Sequence, residues 1–407
     1  MPNLTIHHGD MRTVLEDFPD NHFTHVLTDP PYHLYSGTSN TGFMGKQWDG
    51  GDVSFDPTTW KRVLRVVKPG GYMMCFGGSR TVHRIACAIE DAGWQLVDQL
   101  LYLYASGFCK GLDVSKAIDK RLGRERKESR RYDRYHDGLT RKDLGVDHMK
   151  CNSLFPMPNG NTKSLPASNE AKRFDGYKSQ LAPSYEPIIL AMKPVDGTYA
   201  NNALVHGIAG LNVDAGRIPT SEKITVHHYQ GNHAFDKGRG ALEEYETGKG
   251  RYPKNVILDG SDEVTAGMPY TKSLVSDYDW GQSNNKNSVH VTKNIKSGIH
   301  FGDSGSASRY FYTAKVSPAE RGYENNHPCL KPLSLLDYLL KLLTPPDGGL
   351  LLDPFLGSGS TLIACARQGN DGVGIEMEAE YVDLAEKRIK DDAPMLNEVS
   401  RGEMIRK

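Results

Sequence analysis

Apolar runs of strand length alternate with helically spaced stretches at both ends of the chain. In the first third, "MRTVLEDFP" predicts a short helix, "HFTHVLT" a strand and "PTTWKRVLRVVKPGG" a helix closed by Pro-Gly. "YMMCFGG" then predicts a strand, "SRTVHRIACAIEDAG" a helix and "WQLVDQLLYLYASG" a strand. The last hundred residues return to the pattern. "LSLLDYLLKLLTPPDGG" is an amphipathic helix, "LLLDP" a strand, "GSTLIACARQG" a helix, "DGVGIEM" a strand and "EAEYVDLAEKRIK" a helix. Such alternation predicts an α/β fold with a parallel sheet and crossover helices. In between, residues 159–184 and 220–310 are rich in Gly, Ser, Asn and Tyr and weakly periodic, as in loops and small β elements. Only "YEPIILAMKP" and, more weakly, "YPKNVIL" predict strands there. There is no internal repeat. One sheet built from both chain ends, with a large insertion, is the simplest architecture.

The 407 residues carry a net charge of -1, so bulk charge announces no nucleic-acid partner and any basic surface must be local. One such stretch exists: residues 116–142 hold eleven Lys or Arg against five Asp or Glu, a net of +6. The six cysteines are scattered without a CxxC pair. That argues against a zinc site and against a disulfide framework, and it suits reduced thiols in a cytoplasmic compartment; no metal is expected. No signal peptide and no apolar run of membrane-spanning length is visible, so no membrane partner is expected.

Two strand ends carry the candidate chemistry. The first is Asp29-Pro30-Pro31-Tyr32, after "HFTHVLT". Two prolines remove two backbone donors and fix two φ angles, so a buried strand stops there. The result is a rigid hook presenting a carboxylate and a flat ring. The second is "LLLDPFLGSGSTLIACA", residues 350–366. An apolar strand ends at Asp353, Gly357 and Gly359 allow close approach of a ligand and positive φ, and a helix starts near Ser360. About twenty residues on, Glu376 ends the next strand, where an acid suits ribose hydroxyls. No Lys-Ser/Thr pair follows the glycines, which disfavours a phosphate-binding P-loop and favours a nucleoside without a long phosphate tail.

Together, DPPY at a strand end and "DPFLGSGST" with its following acid resemble the amino-group DNA methyltransferases that use S-adenosylmethionine. DPPY comes first and the glycine motif more than three hundred residues later, which resembles the circularly permuted β group, phage and prophage members especially. "NLTIHHGDM", "NHPCLKPLSLL", "FMGKQWD" and "GFCKGLDVSKAID" add to the likeness, which covers roughly residues 1–110, 184–215 and 325–392. The resemblance implies a Rossmann-like methyltransferase sheet with helices on both faces and an inserted target-recognition region. It divides the chain into a catalytic half (1–115), a basic insertion suited to DNA (116–183), a return strand and helix (184–219), a target-recognition region (220–310) and a cofactor-binding half (311–395).

By position, the resemblance implies that Asp353, Phe355, Gly357, Ser358, Gly359, Ser360 and Thr361 shape the methionine and ribose site, with Asp29 bordering it. Glu376 would hold the ribose hydroxyls and Asp10 would face the adenine amino group. His327, Pro328, Lys331 and Pro332 would line the methionine end. Asp10 equally suits a helix cap, and Lys331 a solvated helix start. In DPPY, the Asp29 carboxylate and the Pro30 carbonyl would hold both N–H groups of an exocyclic amine out of the ring plane, favouring attack on a methyl sulfonium. Pro31 stiffens the hook, and Tyr32 offers a stacking face. Duplex DNA hides that amine, so the base must be flipped.

Phe43, Lys46 and Trp48 on a Gly-rich loop are candidates to close over the base or backbone, and Arg80 to contact phosphate. Arg130, Arg131 and Arg134, interleaved with Tyr in the basic segment, are candidates to track phosphates. "YDWGQSNNKNSVHVTKN" has side chains suited to base edges. The resemblance implies adenine N6 in double-stranded DNA as substrate, since an aspartate heads this motif more often in the adenine-N6 members and a serine in the cytosine-N4 members. Cytosine N4 with the same machinery, an RNA or protein amide methyltransferase, and a non-catalytic DNA-binding relative remain alternatives. The sequence leaves open a homodimer, which is frequent in enzymes that resemble this permuted type, and a cognate restriction enzyme as partners.

Overall fold

The computed structural model describes residues 2–33, 51–105, 107, 111–127, 164–220, 225–226, 245–246, 250–272, 304–314, 331–392 and 398–402. Two compact units emerge: residues 1–105 with 184–407, and residues 106–183.

In the larger unit the chain runs β1 (Asn3–His8), α1 (Met11–Val14), β2 (His25–Thr28), α2 (Pro57–Val66), β3 (Tyr72–Phe76), α3 (Val82–Asp91) and β4 (Gln95–Leu103). The smaller unit contributes α4 (Val114–Arg121) and α5 (Asn169–Arg173). The larger unit resumes with β5 (Tyr185–Met192), α6 (Tyr199–His206) and a two-stranded ribbon of β6 (Thr225–Val226) and β7 (Tyr245–Glu246). Next come β8 (Val256–Leu258), α7 (Asp262–Thr265), a second ribbon of β9 (Tyr270–Lys272) and β10 (Ser304–Ser306), and β11 (Tyr312–Thr313). The chain closes with α8 (Leu333–Leu343), β12 (Leu350–Asp353), α9 (Ser360–Arg367), β13 (Asp371–Glu376), α10 (Ala379–Asp392) and β14 (Glu398–Arg401).

Ten strands form one sheet in the order β11-β8-β4-β5-β3-β2-β12-β13-β1-β14. Strands from the two chain ends interleave at its centre, where β2 pairs with β12. The expectation of a parallel sheet holds with one exception. β5 runs antiparallel to β3 and β4, with Ile188 opposite Phe76, and all other pairs in the sheet are parallel.

Side chains alternate across the sheet, as the pleat requires. Tyr72, Met74 and Phe76 of β3 join a core with Leu335, Leu336, Leu339 and Leu340 of α8. Met73 and Cys75 join a second core with Trp60 and Val63 of α2 and Ile85 and Ile89 of α3. The central strands are buried on both faces, which is why β3 reads as a continuous apolar run. Sequence pattern missed β1 and β14. In β1 only Leu4 and Ile6 are buried apolar positions, and "EVSR" carries one apolar residue; pairing on β13 and β1 makes them strands.

In the smaller unit, Asp113 caps α4 and Ser168 caps α5. Buried Asp119 accepts hydrogen bonds from Arg126 Nη1 at 2.9 Å, from Ser168 Oγ at 2.7 Å, and from the backbone N–H groups of Ala167 and Ser168. One arginine of the basic stretch is thus neutralised inside its own unit. No described helix is long and apolar enough to cross a membrane.

Candidate active site on the carboxyl edge of the sheet

Because β2, β3, β12 and β13 are parallel, their ends open on one edge, the usual ligand edge of open α/β sheets. Asp29 follows β2, Asp353 ends β12 and Glu376 ends β13. The hook after β2 is pinned from several sides. Ser54 Oγ donates to the Pro31 carbonyl at 2.7 Å, and Thr81 Oγ1 donates to the Tyr32 carbonyl at 2.8 Å. Trp60 Nε1 donates to the Ser54 carbonyl at 2.9 Å, tying the pin to the α2 core. His33 follows at φ 47°, buried, with its ring 4.6 Å from that of Phe55.

The Asp29 carboxylate is gripped at both oxygens. Tyr32 Oη lies 2.6 Å from Oδ1, and Lys331 Nζ lies 2.6 Å from Oδ2. Glu186, near the start of β5, completes the cluster: its Oε1 is 2.7 Å from Tyr32 Oη and 3.2 Å from Lys331 Nζ. The ammonium sits 4.9 Å from the centre of the Phe76 ring and 5.3 Å from that of Tyr32. Burial, followed by the two neighbouring carboxylates, pushes the Tyr32 phenol well above its ordinary value, so it stays a hydroxyl donor. The Tyr32 ring packs partly against the core beneath α8.

Glu186 was not among the residues singled out from sequence. Its signal was an acid heading an apolar strand. Since β5 alone runs backwards, its start, not its end, meets the carboxyl edge. Lys331 was placed at the methionine end by resemblance. Here it precedes Pro332, the residue capping α8, and its ammonium points at Asp29.

At the second strand end, Asp353 is buried. It accepts from Thr28 Oγ1 at 2.7 Å, from the Phe355 N–H at 3.1 Å and from the Thr361 hydroxyl. Burial nevertheless raises it to about 6. Thr28 therefore bridges the ends of β2 and β12. Phe355 packs in the α2 core, 6.3 Å from Trp60 between ring centres. Gly357 and Gly359 have φ 55° and 84°. A Cβ on Gly359 would lie 2.8 Å from Ala385 Cβ, so its missing side chain lets α10 pack closely. Ser358 and Ser360 accept from Arg388 Nη1 of α10 at 2.8 and 3.0 Å. Glu376 Oε2 accepts from the Gly357 N–H at 2.7 Å and Oε1 from the Glu378 N–H at 2.8 Å. Burial dominates these bonds and pushes Glu376 up to about 7.

Asp10 follows β1 on the same edge and caps α1, accepting from the Arg12 N–H at 2.8 Å. Its carboxylate also pairs with the Arg12 guanidinium, whose hydrogen bonds hold it below the usual carboxylate range. Arg80 is exposed in the turn between β3 and α3, at the edge where the strands end. Phe43, Lys46, Trp48, Arg130, Arg131, Arg134, His327 and Pro328 lie outside the described residues. No group of three or more His, Cys, Asp or Glu among the described residues could hold a metal ion.

A doubly covered α/β sheet with acids and a glycine-rich turn on its carboxyl edge is an architecture suited to nucleoside ligands. The chain belongs to the N6/N4 DNA methylase family, whose model matches residues 23–387. It is similar to the type II methyltransferase M.ScaI of Streptomyces caespitosus, 40% identical over 83 residues, 20% of this chain and 26% of that protein. To M2.LlaDCHI of Lactococcus lactis subsp. cremoris it is 31% identical over 114 residues, 28% of this chain and 41% of that protein. The chain spans less than half the length of these curated relatives. Among solved structures, the PvuII DNA methyltransferase (cytosine-N4-specific) aligns over 98% of this chain and 94% of its own, with 12% identity and TM-score 0.45. The M1.HpyAVI–SAM complex aligns over 95% and 98%, with 16% identity and TM-score 0.39.

Proposed function

We propose that this protein is a site-specific DNA methyltransferase that methylates the N6 amino group of adenine flipped out of duplex DNA, with S-adenosylmethionine as cofactor. The observation that carries the reading is the Asp29 carboxylate, clamped at both oxygens on a pinned hook beside an acidic nucleoside-type site.

The residues present suit that cofactor. Glu376 is a half-buried carboxylate whose two oxygens accept from the backbone N–H groups of Gly357, Glu378 and Met377. The carboxylate keeps acceptor capacity, and a ribose diol supplies donors that would favour its charged form. Asp353 stiffens the turn, and Asp10 lies across the edge. When bound, the cofactor supplies an electrophilic methyl group on a cationic sulfur.

The chain's own residues supply orientation and charge. Asp29 accepts one hydrogen of the target amine and the Pro30 carbonyl the other, which favours a tetrahedral nitrogen. Ser54 and Thr81 hold the hook, so little reorganisation accompanies the reaction. The Tyr32 ring borders the base. After transfer the amine proton leaves by way of Asp29 or water. Aspartate at the head of the motif supports adenine over cytosine, and DPPY preceding the glycine motif supports the permuted order. Incubation with the cofactor and unmethylated mixed-sequence DNA, followed by nucleoside mass spectrometry, tests the reading. N6-methyladenine is expected. N4-methylcytosine would change the base, and the absence of both products would overturn the reading.

A further inference from the structure

Resting on that reading, the cluster at Asp29 carries more than the hook requires. Lys331 lies within 2.6 Å of Asp29 Oδ2 and 3.2 Å of Glu186 Oε1. Tyr32 Oη lies within 2.7 Å of an oxygen from each carboxylate and 3.1 Å from Lys331 Nζ. A phenol has one proton and cannot donate to both carboxylates at once, whereas an ammonium has three. Glu186 therefore competes with Asp29 for the Tyr32 proton and shares the Lys331 charge. The Lys331 side chain is 9% exposed and that of Glu186 18%, so these charges act in a poorly screened setting.

We propose that Glu186 is a positioning residue for methyl transfer. It anchors Lys331 and Tyr32 against Asp29 and supplies the surplus negative charge of the cluster. Two carboxylates against one ammonium leave a net of one negative charge. Lys331 largely matches Asp29, so without Glu186 the cluster is neutral. Methyl transfer develops positive charge on the amine nitrogen held at Asp29, and a fixed negative charge a few ångströms behind it stabilises that development. The start of β5 can carry this charge to the site because β5 runs against its neighbours.

Glu186→Gln keeps the shape and removes the charge. The expected result is kcat lowered about 10–100-fold, with the DNA KM and cofactor Kd within about twofold of wild type. Adding Lys331→Met to Glu186→Gln restores the net charge, and kcat is expected to rise severalfold above that of Glu186→Gln alone. A purely structural role predicts the reverse, with the double variant worse than either single one. Wild-type kcat in Glu186→Gln, equal loss of kcat and binding, or no recovery in the double variant would each overturn the inference. They would leave the methyltransferase reading standing if Asp29→Ala is inactive. A wild-type protein that methylates no DNA would overturn both. If Glu186→Gln folds poorly, Glu186→Asp decides, since it keeps the charge on a shorter side chain: kcat within about threefold of wild type supports the proposal, and a loss of about tenfold or more overturns it.

Discussion

Lys331 Nζ and Asp29 Oδ2 lie 2.6 Å apart although 302 residues separate them in the chain. The pair joins the connection before α8 to the hook after β2, and it aligns the carboxylate on which the proposed chemistry turns. Asp29→Ala is expected to lower methyl transfer by roughly 10²–10³-fold or more while cofactor binding survives. Single-turnover rates and calorimetry on the same preparation check both halves. Full activity in the variant would remove Asp29 from the mechanism.

Glu376 ties cofactor affinity to its carboxylate. Truncation to alanine removes the ribose acceptor and is expected to weaken cofactor binding about 10–100-fold, as loss of hydrogen bonds to a charged group does. Calorimetric titration with the cofactor measures it. Unchanged affinity would move the ribose elsewhere.

The same residue shapes stability. Its ordinary value is 4.5 and burial raises it to about 7 in the folded protein. Between those pH values the folded chain binds more protons than the unfolded one. Its contribution is thus most favourable below pH 4.5, declines as pH rises, and levels off above about 7, a change of up to about 3 kcal/mol. Urea unfolding of cofactor-free wild type and Glu376→Gln from pH 4.5 to 8 reads this. The stability difference, wild type minus variant, should fall with pH. A rising difference would mean that the backbone N–H bonds outweigh burial.

Gly359→Ala tests the glycine turn as a packing device. Its φ is 84°, and the added Cβ meets Ala385 at 2.8 Å. Backbone strain and overpacking together are expected to cost about 2–4 kcal/mol. A chemical denaturation midpoint near wild type would show that α10 yields freely.

Neutralising Arg130, Arg131 and Arg134 together is expected to weaken DNA binding and to reduce the slope of log K against log salt by roughly 3. Anisotropy titrations from low to moderate salt measure that slope. An unchanged slope would take the basic segment off the DNA.

Local pattern determined much of this protein. Buried strands such as "YMMCF", helices such as "PTTWKRVLRV", the proline hook at Asp29 and the glycine turn before Ser360 are visible in sequence. Each is encoded within a few neighbouring residues by periodicity, fixed φ or capping. Tertiary structure alone decided what meets at the edge. β1 and β14 became strands because partners lay beside them. Gly359 serves Ala385 of α10. Glu186 and Lys331 reached Asp29 only through the reversal of β5 and the approach of α8. Hydrophobic periodicity states which face of an element is buried, but not which element lies next to it. Contacts between distant side chains depend on sheet order and strand direction, which only the assembled fold contains.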